Sequence, residues 1–166
     1  MTLNEYMQAV QASATGERVG RQMVLAIDCS DGNTSTDIGS YIVVANHIEN
    51  HGASLSAKTV DKSYIGEGDM TLKMSTQRTF AVTGQLLRGD PFHDFINSHG
   101  IKYGVGSDVQ KDYVYFDPGT KSGEKGKVTI SVNKDGAGAA SDPGDIDVSL
   151  SVIGKPEEFT YTSVEV

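Results

Sequence analysis

Apolar residues recur along this chain with two different periods. In LNEYMQAV they fall at Leu3, Tyr6, Met7 and Val10, the spacing of one helix face. Thr2 and Glu5 have capping-box spacing just ahead of them, so a helix is predicted over residues 2–12. It is too short to stand alone and needs a surface to pack on. Gly16 to Gly20 break the pattern. QMVLAID (22–28) is a dense apolar run suited to a strand buried on both faces. Beyond the polar stretch DCSDGNTSTDIGS (28–40), the period becomes two. YIVVANHIEN (41–50) and ASLSAKTVD (53–61) are predicted as a strand pair turning at His51 and Gly52. KSYIGEGD (62–69) is predicted as a loop, and residues 70–84 as extended again.

TFAVTGQLLRGDPFHDFINSHG (79–100) then passes from strand to helix. Asp90 suits an N-cap, Pro91 the first helical turn and Gly100 the position past the end. Phe92, Phe95 and Ile96 share one face of this helix, predicted over 91–98. Burying them would contribute on the order of 5 kcal/mol. Two turns cannot stand alone, so the helix is expected to plug an open end or edge of the sheet. KDYVYFD (111–117) and KVTISV (127–132) flank a Gly/Lys-rich turn, DPGTKSGEKG. DIDVSLSVIG (145–154) alternates cleanly, with Ile146, Val148, Leu150 and Val152 on one face, and EFTYTSV closes the chain as a last strand. The expected fold class is mainly β: an antiparallel β-sandwich or barrel of about seven to eight strands. One short α-helix (about 91–98) packs at its side, with a short helix at the N-terminus.

Composition narrows the function. A chain of 166 residues fits a single domain with a real core, here 1–166. No apolar run approaches the ~18 residues that span a membrane. MTLNEYMQAV has neither the basic start nor the apolar centre of a secretion signal, and the expectation is a protein made in the cytoplasm. Cys29 is the only cysteine, which excludes an intrachain disulfide and argues against a structural zinc site. The net charge of −8 argues against gripping nucleic acid by its phosphates.

Local motifs do not assemble a reaction centre. HIENH sets His47 four residues from His51, but Glu49 is misplaced for H-E-x-x-H and the context is a strand. SDGNTSTD lacks the ligand order of a calcium loop. Asn33 opens a glycosylation sequon with no secretion signal to make it relevant. GTKSGEKGKV departs from a phosphate loop in spacing and joins strands; Lys121, Lys125 and Lys127 are assigned to a hairpin tip. Asp142, Asp145 and Asp147 cluster without a cation to orient them, and a solvated strand face is the simpler reading. Catalytic, cofactor and metal residues are therefore expected to be none.

The order SLSAKTVDKSYIG, TFAVTGQLLRGDPFHDFINSHG, KDYVYFD, GKVTISV and DIDVSLSVIGKPEEFTY resembles the major tail (tail tube) protein family of long-tailed phages with non-contractile tails. It covers about residues 40–162 by order and spacing, and the "V-x-L-x-V-x-G-x-P" strand with one more strand after it is the most telling element. The resemblance implies a sandwich of two antiparallel sheets flanked by a short helix, in a subunit that is not an enzyme. It further implies self-assembly into hexameric rings stacked as a tube in the virion. DNA passes through without specific binding, and the partners are tape-measure, tail terminator and distal tail proteins. Residues 1–20 depart from the common core and are expected as an N-terminal arm. The acids proposed for the lumen are Asp28, Asp31, Asp37, Glu49, Asp61, Glu67 and Asp69. A contractile-tail or secretion-system tube is the near alternative. A carbohydrate-binding or adhesin-like sandwich is the distant one, disfavoured by the absence of Trp.

Overall fold

The computed structural model of the chain describes residues 1–12, 23–31 and 37–162. The predicted break at Gly16–Gly20, the Asn33 sequon and the last residues of the final strand lie outside the described residues.

Among the described residues, eight strands and three short α-helices follow in chain order: α1 (Leu3–Ala12), β1 (Val24–Ile27), β2 (Ile42–Val43), β3 (Ile48–Tyr64), β4 (Gly68–Gln85), α2 (Pro91–Ile96), α3 (His99–Lys102), β5 (Gln110–Phe116), β6 (Ser122–Ala137), β7 (Asp145–Val152) and β8 (Glu157–Thr160). All strands join one antiparallel sheet ordered β2-β1-β5-β6-β7-β4-β3, with β8 on β6. The mainly-β expectation holds. The two sheets implied by the resemblance are halves of one, because β6 serves both. Its first residues ladder with β5 and, from Ser122 to Lys125, with β8; from Val128 onward it ladders with β7. Register shifts at Val132/Lys134 and Asp135/Ala137 mark irregularities that increase local twist and bend the sheet.

Curling brings the two halves face to face over one core. Leu25, Ile27, Tyr113 and Tyr115 from one half meet Phe80, Val82, Val148 and Leu150 from the other. The Phe80 ring stands edge-on to Tyr113 and Tyr115, at centroid distances of 5.6 and 4.9 Å. The alternation predicted for residues 145–152 is observed, with every second side chain of β7 buried. β1 is buried on both faces, as expected for an unbroken apolar run. Its outer side chains, Val24 and Ala26, lie under α1, whose Leu3 and Met7 fill a second cluster with Val43, Val114 and Phe116. The capping box is formed: the Thr2 amide donates to Glu5 Oε2 (2.8 Å) and the Glu5 amide to Thr2 Oγ1 (3.4 Å).

Three boundaries depart from expectation. The predicted 41–50/53–61 hairpin does not exist. His51 and Gly52 lie inside β3, paired with Val82 and Ala81, and the true partner of β3 is β4. The turn falls at Ile65–Glu67, within the predicted loop, and Gly68 (φ 78°) takes the left-handed position that closes it. The turn between β5 and β6 is likewise shorter than predicted. Only Lys121 sits in it, at φ 60°, while Lys125 and Lys127 belong to β6. Finally, the helix predicted to 98 ends at Ile96, and Gly100 does not terminate it but lies within α3.

The start of α2 is as predicted. Asp90 Oδ2 accepts from the Phe92 amide at 3.2 Å, while Oδ1 accepts from Asn46 Nδ2 at 2.7 Å. Phe92 and Ile96 are buried in the main core, and Phe95 is half-buried against it. His93, which the apolar pattern passed over, is also fully buried. Its Nε2 pairs with the Asn46 carbonyl (2.7 Å) and Nδ1 accepts from the Leu87 amide (3.4 Å).

Candidate functional site

The most unusual feature is a ribbon. β4 pairs with β7 only from Thr79 to Gln85, so residues 55–78 of the β3–β4 hairpin have ladder partners only in each other. At about 3.3 Å per residue, Ser54 to Tyr64 reaches roughly 36 Å from the body. Isolated two-stranded ribbons are marginal in water, and their open edges invite pairing.

The ribbon is also where apolar surface is exposed. Leu55 (62%), Met74 (64%), Ile65, Tyr64, Met70 and Leu72 account for most of the large exposed hydrophobic residues among those described. Their distribution follows from the register. Ala53 and Leu55 lie across from Phe80 and Arg78 on the core-facing side. Between Lys58/Ser75 and Thr59/Lys73 the β4 strand carries one extra residue, Met74. The bulge shifts the parity of β4, so that Leu72 and Met70 emerge opposite Val60 and Lys62, on the other face. Beyond the bulge that face carries Val60, Lys62, Tyr64, Met70 and Leu72. Its reverse carries Thr59, Asp61, Ser63, Asp69, Thr71 and Lys73, with Thr71 Oγ1 donating to Asp61 Oδ1 (2.7 Å).

The root of the ribbon is anchored by a fork. Arg78 donates from Nε to Glu124 Oε1 (2.9 Å) and from Nη2 to Oε2 (3.3 Å), and stacks 5.8 and 5.5 Å from the centroids of Phe80 and Tyr115. Tyr113 donates its hydroxyl to the same Glu124 (3.2 Å). Burial, with the Glu124 charge second, holds that phenol well above its usual range. None of this was visible in motifs, because Arg78 and Glu124 lie far apart in sequence.

A second feature is an open cleft of about 1180 Å³ between the end of β1 and the α2–α3 segment. Ile42, Phe95, Tyr103, Asp31, Asp108 and Lys111 are among its walls. Lys111 is buried, donates to the Ser30 carbonyl (3.1 Å) and lies 5.7 Å from the Phe95 centroid. Asp28, 2% exposed, caps the Ser30 amide with Oδ1 (2.9 Å), while its buried Oδ2 has no hydrogen-bond partner. Beside it, burial and the Asp28 charge push the Cys29 thiol up to about 12. It stays protonated at neutral pH and is a poor nucleophile.

The other residues singled out from sequence are dispersed. His47, at φ 56°, precedes β3, whereas His51 is in the strand with its ring edge-on to Tyr115 (6.3 Å). No group of three or more potential metal ligands occurs among the described residues. Asp37 caps a 3-10 turn through the Gly39 amide (2.9 Å). Asp145 and Asp147 share the outer face of β7, where Asn133 Nδ2 approaches Asp147 (3.5 Å); Asp142 lies in the preceding turn. Asp61 and Asp69 share a face of the ribbon, opposite Thr71 and Ser63, with Glu67 at its tip and Glu49 exposed near its root.

Solved structures share this fold. A chain in the "Tail of empty GTA particle computed with helical refinement, C6 symmetry" aligns over 87% of this chain and 100% of its own, at TM-score 0.58 and 16% identity. A chain in the "Virion of native gene transfer agent (GTA) particle" aligns over the same shares, at 0.57 and 14%. The chain has the fold of these tail and virion subunits. No family model and no curated protein sequence matches it.

Proposed function

We propose that this chain is the structural subunit of a phage-type tail tube, assembled into stacked hexameric rings that conduct DNA on ejection. The carrying observation is the fold shared, over nearly the whole chain, with a subunit of a sixfold-symmetric tail. The ribbon supports the same reading: a protruding, unpaired, apolar hairpin is a liability in a monomer and an asset in a polymer. So does the charge of −8, since repeated acids around a lumen repel phosphate and let DNA slide. In this reading the subunit is a virion component without catalytic, cofactor or metal groups. Its partners are its own copies, a tape-measure protein inside the tube, and terminator and distal proteins at its ends. A contractile-tail or secretion tube shares the subunit design and would be marked by a sheath protein around it.

Negative-stain electron microscopy of the concentrated, purified protein tests the proposal. Rings or tubes with sixfold symmetry are expected. Persistent monomers, even with tail partners added, would overturn it.

A further inference from the structure

We infer that the far half of the ribbon docks, by the face carrying Val60, Lys62, Tyr64, Met70 and Leu72, into the α2–α3 cleft of a second copy of this chain. The inference rests on the tube reading and adds which surfaces meet. Three observations fix the occupant. First, the two most exposed large apolar side chains on the described body are at the cleft and next to it: Tyr103 (73%) on its wall and Val105 (78%) beside Gly104 of that wall, with the less exposed Ile42 and Phe95 also lining it. The ribbon presents the matching apolar ridge. Second, charges complement. The ridge carries one charged group, Lys62, while the cleft is lined by Asp28, Asp31 and Asp108; its two lysines, Lys111 and Lys127, are engaged by the Ser30 carbonyl and by Asp112, and Asp28 keeps a carboxylate oxygen without a hydrogen-bond partner. Third, no ribbon residue lines the cleft of its own chain, and a reach of roughly 36 Å exceeds the roughly 15 Å radius of gyration of a domain this size. A ridge on one copy and a cleft on the next make a head-to-tail contact, which propagates into closed rings or open helical stacks.

Docking by this face leaves the reverse, with Asp61 and Asp69, uncovered. The parity shift at Met74 is what separates the two: without the extra residue, Met70 and Leu72 would share a face with Asp61.

The test is disulfide mapping between two proteins, each with Cys29→Ser. One carries Leu72→Cys, the other Val105→Cys. They are mixed, assembled, oxidised and read by mass spectrometry, with assembly followed by electron microscopy. Both substitutions are at exposed positions, so folding is retained. The expected result is a 72–105 cross-link between chains, at least tenfold more abundant than from a control pair in which Asp61→Cys replaces Leu72→Cys. Assemblies that form without the 72–105 link, or that link equally well through Asp61→Cys, would overturn the docking and leave the tube proposal standing. A wild-type protein that never assembles would overturn both.

Discussion

At the residue scale, close approaches of backbone decide more than any polar motif. Gly123 opens β6 where a Cβ would strike the Tyr115 carbonyl oxygen and the Phe116 Cα of the paired strand. Gly123→Ala therefore forces β5 and β6 apart at the ladder that carries both Tyr113 and Glu124. The expected cost is about 1–3 kcal/mol, seen as a lower urea midpoint at unchanged m-value. Cys29 gives a second expectation. With its pKa pushed up to about 12, the thiolate fraction at pH 8 falls roughly a thousandfold below that of a free cysteine. Alkylation by iodoacetamide should be slower by about that factor in the native protein, and recover in denaturant. Native labelling at the free-thiol rate would show the loop beside β1 to be open. Arg78→Ala strips the Glu124 carboxylate of its fork and leaves it half-buried beside Tyr113. A loss of about 2 kcal/mol is expected, together with faster amide exchange in residues 76–80, which a surface ion pair would not produce.

At the element scale, the pieces legible from sequence are those whose local chemistry is self-sufficient. α1 declared itself through Thr2, Glu5 and a clean apolar face, α2 through Asp90 and Pro91, and β7 through strict alternation over one buried face. The ribbon was not legible for the same reason it matters. Beyond its root at Arg78 the ribbon buries neither face in the monomer, so no hydrophobic period marks it as one strand pair, and Gly52 reads as a turn. β6 was cut short because Gly123 and Gly126 read as loop, although Gly126 sits against the Tyr113 ring and Pro156, where a larger residue would crowd them. The Arg78–Glu124 anchor and the cleft come from long-range closure of the sheet, which a single sequence does not encode locally. The ribbon's independence makes a sharp prediction. Leu72→Asp places a charge on an exposed face, where the packing at stake is the cross-strand pair with Val60, so monomer stability should change by less than about 1 kcal/mol. Assembly, scored by sedimentation, should be lost. If the substitution destabilised the monomer and left assembly intact, the ribbon would be a fold element rather than an arm.

At the scale of the whole molecule, two long-range terms compete. In the proposed tube each subunit would bring a formal charge of −8, and copies packed in a ring would repel one another. Opposing this are apolar contacts made by Met70, Leu72, Tyr64 and their like, which salt does not weaken. The Debye length falls from about 30 Å at 0.01 M to about 8 Å at 0.15 M ionic strength, which is shorter than the ribbon. Repulsion between subunit bodies is then largely screened, whereas the apolar docking term persists. The critical concentration for assembly should therefore drop on going from 0.01 to 0.15 M sodium chloride, roughly tenfold if screening relieves about 1.4 kcal/mol per subunit. Light scattering across a concentration series at each salt level measures it directly. The opposite trend, assembly favoured at low salt, would mean that ion pairs rather than apolar ridges hold the copies together. In that case the charged reverse of the ribbon, with Asp61, Asp69 and Lys73, would be the docking face instead of the apolar ridge.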